Sequence, residues 1–446
     1  MNTLEQLRNG QLNGAQRLDL SYGLTTFPRE IFNLADTLEV LNLSGNQLSD
    51  LPDDLSRLHQ LKVLFCSDNA FTHVPASVGR CPQLSMVGFK SNRISQLTAQ
   101  ALPAELRWLI LTDNALASLP DELGQCRQLQ KLMLAGNRLQ RLPDALQHCH
   151  RLELLRISAN QLSALPDWLT RLPRLSWLAY AGNPLSDADE ARAVAATPAR
   201  PIAWSSLDLT HQLGEGASGH IHQATWRHNE SDEDVAVKLF KGAMTSDGLP
   251  CSEIAACLAA GPHPHLIGLH GVVNDHPDQR IGLVMQRIGR DFQPLAGPPS
   301  LATCTRDVYA SGLRMDLNTV VCLALGMASV TAHLHARGIL HGDLYAHNTL
   351  WNNHGQCLLG DFGAASFLPA AAPETSRQLT ALEVRAFGCL LEELLARCQT
   401  PDQAPDQASD RLTRLHALQA RCTLEDVAAR PAMAEVEQQL RVLASV

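Results

Sequence analysis

The fold class the sequence predicts is two domains, an α/β array of stacked repeats followed by a non-repeating α+β domain. Two observations carry this. Leucine-x-leucine triplets recur every 23 residues, once 22, from Leu18 to Tyr180, and in all copies but the first an asparagine stands five positions after the triplet begins. Beyond residue 185 the period stops. The chain there carries a G-x-G-x-x-G run (Gly214, Gly216, Gly219), the strand-like Val235-Ala236-Val237-Lys238, and the stretch from Leu340 to Gly363.

The first 15 residues read as a helical cap for the first coil. The triplets that follow include Leu18-Asp19-Leu20, Leu109-Ile110-Leu111 and Leu178-Ala179-Tyr180, and the asparagines run from Asn46 to Asn183. A buried Asn where the chain turns can satisfy backbone groups of adjacent coils, which no apolar side chain can do. Most copies continue with Leu-Pro and a short helical D-x-L-x-x-L, and Asp187 to Ala196 reads as a closing helix. Over residues 16 to 185 the pattern resembles the leucine-rich-repeat family, which implies a curved solenoid with a parallel sheet on its concave side.

Alternation along such strands turns the residues between leucines outward. One column then holds Arg17, Val40, Val63, Met86, Trp108, Lys131, Leu154 and Trp177, and the next holds Asp19, Asn42, Phe65, Gly88, Ile110, Met133, Arg156 and Ala179. Val63, Phe65, Met86, Trp108, Ile110, Met133, Leu154 and Trp177 form an apolar stripe that predicts a contact surface for a protein substrate or regulator. The boundaries read from this are a repeat domain over 1–196, a short, stiff, two-proline linker over 197–206, and a second domain over 207–446.

Between Leu340 and Gly363 the order is an acid (Asp343), an amide five residues later (Asn348), a hairpin, then Asp361-Phe362-Gly363. A hydroxyl nucleophile needs a carboxylate beside it to accept its proton, and leaving phosphates need Mg²⁺ held by oxygen ligands on an adjacent turn. Asp343 suits the first task, and Asn348 with Asp361 the second. The glycine run lies between two strands and not before a helix, which argues against a dinucleotide fold. Lys238 alternates inward with Ala236 to hold phosphates, and Glu253 is the acid available to orient it.

Residues 207 to 446 resemble a eukaryotic-type, two-lobed protein kinase domain. The resemblance makes Gly214, Gly216 and Gly219 the glycine-rich loop, and Ile221, Ala236 and Leu350 the residues around adenine. It makes Met285 and Gln286 the gatekeeper and start of the hinge, and Lys238, Glu253 and Asp343 catalytic. Asn348 and Asp361 would be the metal ligands, ATP and Mg²⁺ the cofactors, and Glu374 of Ala372-Pro373-Glu374 would pair with Arg430. Five departures stand out. Gly342 replaces the arginine that clamps a phosphorylated loop, and only eight residues, with Ser366 their one hydroxyl, separate Gly363 from Ala372. Tyr345 stands at a position usually lysine, Glu383 at one usually aspartate, and a Gln/Asp/Pro loop (Gln399 to Ser409) replaces a substrate-docking helix. Serine/threonine specificity without loop phosphorylation is the expectation. A scaffold without catalysis, and a small-molecule phosphotransferase of the aminoglycoside or choline kinase type, are the alternatives.

The formal charge of −9, with 45% apolar and 18% charged residues, argues against a nucleic-acid binder. Val320 to Val330 falls well short of a membrane span, so a soluble, cytoplasmic protein is expected. The 12 cysteines form no C-x2-C pair, and Cys81, Cys126 and Cys149 occupy a leucine slot of the repeat, as small buried hydrophobes. His263 and His265, and His333 and His335, read as structural.

Overall fold

This computed structural model describes residues 3–445 apart from 217, 229–230, 243 and 400–405. The chain divides into two compact units, Met1–Arg174 with Asn183–Leu185, and Leu175–Gly182 with Ser186–Val446.

The first unit opens on helix α1 (Leu4–Arg8), started by a capping box between Thr3 and Gln6. Seven three-residue strands follow, one per coil: β1 (Arg17–Asp19), β2 (Val40–Asn42), β3 (Val63–Phe65), β4 (Met86–Gly88), β5 (Trp108–Ile110), β6 (Lys131–Met133) and β7 (Leu154–Arg156). They pair in parallel with each triplet in register, Val63 opposite Met86 and Met86 opposite Trp108. The central leucines are fully buried, and the returning side of each coil turns through short 3-10 helices. Asparagine links the coils. Asn137 accepts from Leu116 N at 3.0 Å and donates to the carbonyls of Leu111 and Leu134 at 2.8 and 3.0 Å. Cys81, Cys126 and Cys149 are buried, and burial pushes their thiols up to about 11, 11 and 12.

The columns stand in register as expected, but the stripe is not an open surface. Val63, Met86 and Leu154 are only 5%, 3% and 3% exposed, and Phe65, Trp108, Ile110 and Met133 are half-buried. Strands about 4.8 Å apart let neighbouring side chains cover one another. Phe65 lies across Gly88, where a Cβ would stand 2.7 Å from its ring, and Lys131 Nζ sits 4.3 Å above the Trp108 ring.

The eighth triplet strand, β8 (Trp177–Ala179), and helix α2 (Asp187–Ala196) belong to the second unit. The outward place expected for Trp177 is corrected, since it is 1% exposed. Residues 197–206 are likewise no free linker. Strand β9 (Pro201–Ala203) pairs in parallel with β13 (Leu269–Asn274), because Ile202 buries its side chain against Trp226 and Val273. With β10 (Leu207–Glu215), β11 (Gly219–His228), β12 (Ser231–Phe240) and β14 (Gly282–Gln286) they form one sheet of order β10-β11-β12-β14-β13-β9.

Helix α3 (Pro250–Ala260) follows the third of these long strands, with Pro250 in its first turn, where a missing N–H costs nothing. The helical part is built on α4 (Leu317–Ala336), α5 (Pro373–Leu395), α6 (Asp406–Cys422) and α7 (Met433–Ala444). α4 starts at Asp316, whose carboxylate accepts from Thr319 N at 2.7 Å, and packs against α7. By length and composition α4 could cross a membrane, yet more than half of it is buried inside the unit, as in a core helix. In the Gln399–Ser409 run, residues 400–405 lie outside the described residues and α6 begins at Asp406.

Replacing Asn137 by Ala removes three hydrogen bonds at once and strands buried backbone groups. The unfolding free energy of the repeat unit, measured by urea titration, is expected to fall by about 1–3 kcal/mol.

Candidate active site

The glycine run is a turn between two strands. Gly216 N donates to the Gly219 carbonyl at 2.9 Å, and Ala217 between them lies outside the described residues. Gly219 is required by packing, since a Cβ there would stand 2.6 Å from the Leu239 carbonyl. Around Gly214 and Gly216 no atom of the described residues comes within 4 Å of a Cβ, beyond the chain neighbours.

Alternation along β12 places Lys238 opposite Ile221 of β11 and Leu283 of β14, with Ala236 opposite Met285. Lys238 is buried, its ammonium pairs with Glu253 on α3, and Asp361 Oδ1 lies 3.7 Å away. Burial works against the Lys238 cation, but Asp361 and Glu253 outweigh it and hold its pKa above the ordinary value. Burial pushes Glu253 up to about 7 against the pull of Lys238. One Glu253 oxygen, Oε2, is buried with no hydrogen-bond partner among the described residues.

The loop from His341 to Asn348 is held to the turn at Asp361 through one residue, Gly360. His341 Nε2 donates to the Gly360 carbonyl at 2.9 Å, and Gly360 N donates to the Asn348 carbonyl at 3.0 Å. His341 Nδ1 accepts from Asp343 N at 3.3 Å, and the ring packs on Phe362 with centroids 5.1 Å apart. Asn348 turns its amide nitrogen to Asp343 Oδ2 at 2.7 Å, which leaves its carbonyl oxygen as the outward acceptor. Asp361 adopts φ +54°, a left-handed conformation that Asp tolerates, and its Oδ1 accepts from Gly363 N at 3.2 Å. Beneath the loop, Glu383 of α5 accepts from Gly342 N at 2.6 Å, His341 N at 3.3 Å and His335 Nε2 at 2.8 Å. Burial alone would raise the Glu383 pKa; His335, His341 and the Gly342 amide hold it below the ordinary value.

A cavity of about 690 Å³ lies between sheet, α3 and the Asp361 turn. Of the residues expected around a nucleotide, Gly216, Gly219, Ile221, Lys238, Met285 and Gln286 line it, together with Glu253 and Asp361. Gly214, Ala236 and Leu350 do not. Ala236 is buried within the sheet, and Leu350 pairs with Leu358 and Pro294 in a small sheet. Asp343 and Asn348 stand on the loop tied to Gly360. Among the described residues no group of three or more His, Cys, Asp or Glu side chains could hold a metal. One half-exposed carboxylate (Asp361) and one amide oxygen (Asn348) are the partial, hard-oxygen set that suits Mg²⁺ completed by phosphates.

The expected pairing of Glu374 with Arg430 does not form. The segment after Gly363 is so short that Glu374 falls in the first turn of α5, exposed and bound to Arg377 at 2.7 Å. Arg430 instead donates to the carbonyls of Ala381 and Leu424. The histidines have structural partners: His265 Nδ1 donates to Cys357 O at 2.9 Å, and His333 Nε2 to Ala260 O at 2.7 Å.

Comparison with known proteins agrees with this geometry. A family model for protein tyrosine and serine/threonine kinases matches residues 207–404, and leucine-rich-repeat models match 36–100, 104–162 and 127–185. The chain thus joins leucine-rich repeats to a protein kinase domain. Cyclin-dependent kinase 10 of Homo sapiens is 29% identical over 210 residues, 43% of this chain and 54% of that protein. Cyclin-dependent kinase G-2 of Oryza sativa subsp. indica is 26% identical over 211 residues (43% and 28%), and the activated Cdc42 kinase-like protein of Drosophila melanogaster 26% over 285 (53% and 20%). The chain spans about half the length of the first of these relatives.

Sequence reasoning missed that Trp177 and Tyr180 reach this site. Trp177 stacks on Tyr345, and Tyr180 binds Ser366 and Phe367. It also missed Asp307, whose carboxylate accepts from His347 N and Nδ1 at 2.9 and 2.7 Å and raises that ring's pKa against the effect of burial. The signal available for the first was the pair of departures at Gly342 and Tyr345; nothing in the sequence marked Asp307.

Glu253 binds its proton more tightly folded than unfolded. Stability from this group is therefore present below its unfolded pKa of about 4.3 and is lost as pH rises through about 7. Measured between pH 5 and 8, the unfolding free energy of the wild type is expected to decline relative to Glu253→Gln, which does not ionise.

Proposed function

We propose that the chain transfers the terminal phosphoryl group of ATP to a serine or threonine hydroxyl of a protein, and that its repeats recognise a protein partner. The observation that supports this most directly is the assembly of Lys238, Glu253 and Asp361 on one cavity, with Asp343 and Asn348 tied to it through Gly360. Lys238, aimed by Glu253, offers its ammonium to phosphate oxygens. Mg²⁺, when bound, would neutralise the leaving phosphates, with Asp361 and Asn348 as its protein ligands. Asp343, oriented by the Asn348 amide, accepts the proton of the attacking hydroxyl.

Two further features support a kinase that is not switched by loop phosphorylation. Position 342 has no guanidinium to clamp a phosphate, and Ser366 is fully buried. Leucine-rich repeats generally mediate protein interaction, and the half-buried patch of Phe65, Trp108, Ile110 and Met133 is the contact surface we propose on the concave face.

The test is phosphosite mapping after incubation of the pure protein with ATP and Mg²⁺. Phosphoserine or phosphothreonine on a protein is expected, and its absence would leave the scaffold reading. Asp343→Asn should lower the rate about 10²–10⁴-fold with binding of a non-hydrolysable ATP analogue preserved, since the proton acceptor serves the other substrate. Asp361→Asn should abolish transfer; undiminished turnover would remove it from the site.

A further inference from the structure

The strand β8 and the start of α2 make contacts that phosphoryl transfer does not itself demand. Trp177 stacks on Tyr345 with ring centroids 4.2 Å apart and planes 8° from parallel, and its Nε1 donates to the Leu344 carbonyl at 3.1 Å. The indole therefore grips the two residues that follow Asp343. Tyr180 N donates to Ser366 Oγ at 2.9 Å, and its hydroxyl donates to the Phe367 carbonyl at 2.8 Å. Further along, Ala370 N donates to Asp189 Oδ1 at 3.3 Å, and Ser252 Oγ, beside Glu253, donates to Glu190 Oε1 at 2.8 Å. Catalytic loop, activation segment and α3 are thus each held by one stretch of 15 residues, from Ser176 to Glu190.

Gly342 explains why no arginine stands in this loop. Its φ is +73°, and a Cβ there would stand 2.4 Å from the Ala364 carbonyl and 2.7 Å from the Leu178 carbonyl. The backbone of β8 occupies the space a side chain at 342 would need. The one hydroxyl of the short segment, on Ser366, is already engaged by Tyr180. The departures at positions 342, 345 and 366 therefore share one physical origin.

We propose that Trp177, Tyr180, Asp189 and Glu190 stand in, within the same chain, for a phosphorylated activation loop, with Trp177 as the positioning residue of the catalytic loop. This rests on the kinase reading. In place of an arginine-phosphate pair installed by a modification, stacking and hydrogen bonds formed on folding hold Asp343, the activation segment and the helix of Glu253 in one arrangement. Trp177 touches no substrate and acts through Leu344 and Tyr345.

The test uses the full chain and three variants, Trp177→Ala, Trp177→Phe and Tyr180→Phe, with two readouts. In hydrogen exchange, Trp177→Ala is expected to speed exchange of the 342–349 and 364–368 amides about 10-fold or more while β11 and β12 stay protected. Trp177→Phe, which keeps the stack and loses the Nε1 donor, should restore most of the protection, and Tyr180→Phe should loosen only 364–368. In kinetics toward a generic peptide, Trp177→Ala should lower kcat per titrated nucleotide site about 10–100-fold with KM for ATP within about 2-fold, and Phe should recover it. Unchanged exchange, a lower melting temperature with kcat per site unchanged, or a rise in kcat would each overturn the proposal, the last by making the segment an inhibitory cover. If the wild type transfers no phosphate, the kinase reading fails, while the exchange pattern still decides whether the segment braces the loop.

Discussion

The buried carboxylate of Glu383 is the constraint on which the second unit depends. It is 2% exposed on α5 and collects the amides of His341 and Gly342 with the His335 imidazole. A buried charge is tolerable only when so satisfied, and once satisfied it fixes whatever supplies its donors. Here the donors are two consecutive amides of the loop that carries Asp343. The loop cannot shift without stranding the charge, and through His341 and Gly360 the same fixity passes to the Asp361 turn.

The Lys238–Glu253 pair, which reaches the same Asp361 turn, works by a different balance. Its desolvation cost offsets much of the Coulomb attraction, so such a pair adds little net stability. It defines instead a point of positive charge at a set depth in the cavity. Rigid scaffolding under α5 and a tuned charge under α3 therefore divide the labour: one holds the acid side of the site, the other prepares the phosphate side.

In the repeat unit, position along the strand is dictated by a regular period, and exposure is not. Alternation correctly places Val63, Met86 and Trp108 in one column, yet the column covers itself, because parallel strands bring each side chain against the next. Gly88 between Phe65 and Ile110 shows how: its missing side chain is filled by a neighbour's ring. An apolar column in a repeat array is thus partly core, and the patch open to a partner is narrower than the stripe.

By itself the sequence determined the period and register of the repeats, the Asn ladder between coils, and the order of Lys238, Glu253, Asp343, Asn348 and Asp361. These depend on local spacing and side-chain type, which the chain carries in one dimension. What only the tertiary structure decided is what the aromatic residues of the eighth copy bind. Leu178-Ala179-Tyr180 obeys the same period as its predecessors, but Tyr180 binds Ser366 and Phe367, and Trp177 just before the triplet binds Leu344 and stacks on Tyr345, all more than 160 residues away. Periodicity reports the conformation of a strand and is silent on which surface buries it. The same holds for Ile202 in the expected linker and for Glu374, whose partner is set by how short the preceding segment is. Gly342 joins the two levels: a departure visible in the sequence, whose cause is a carbonyl that only folding brings within 2.7 Å of where its side chain would stand.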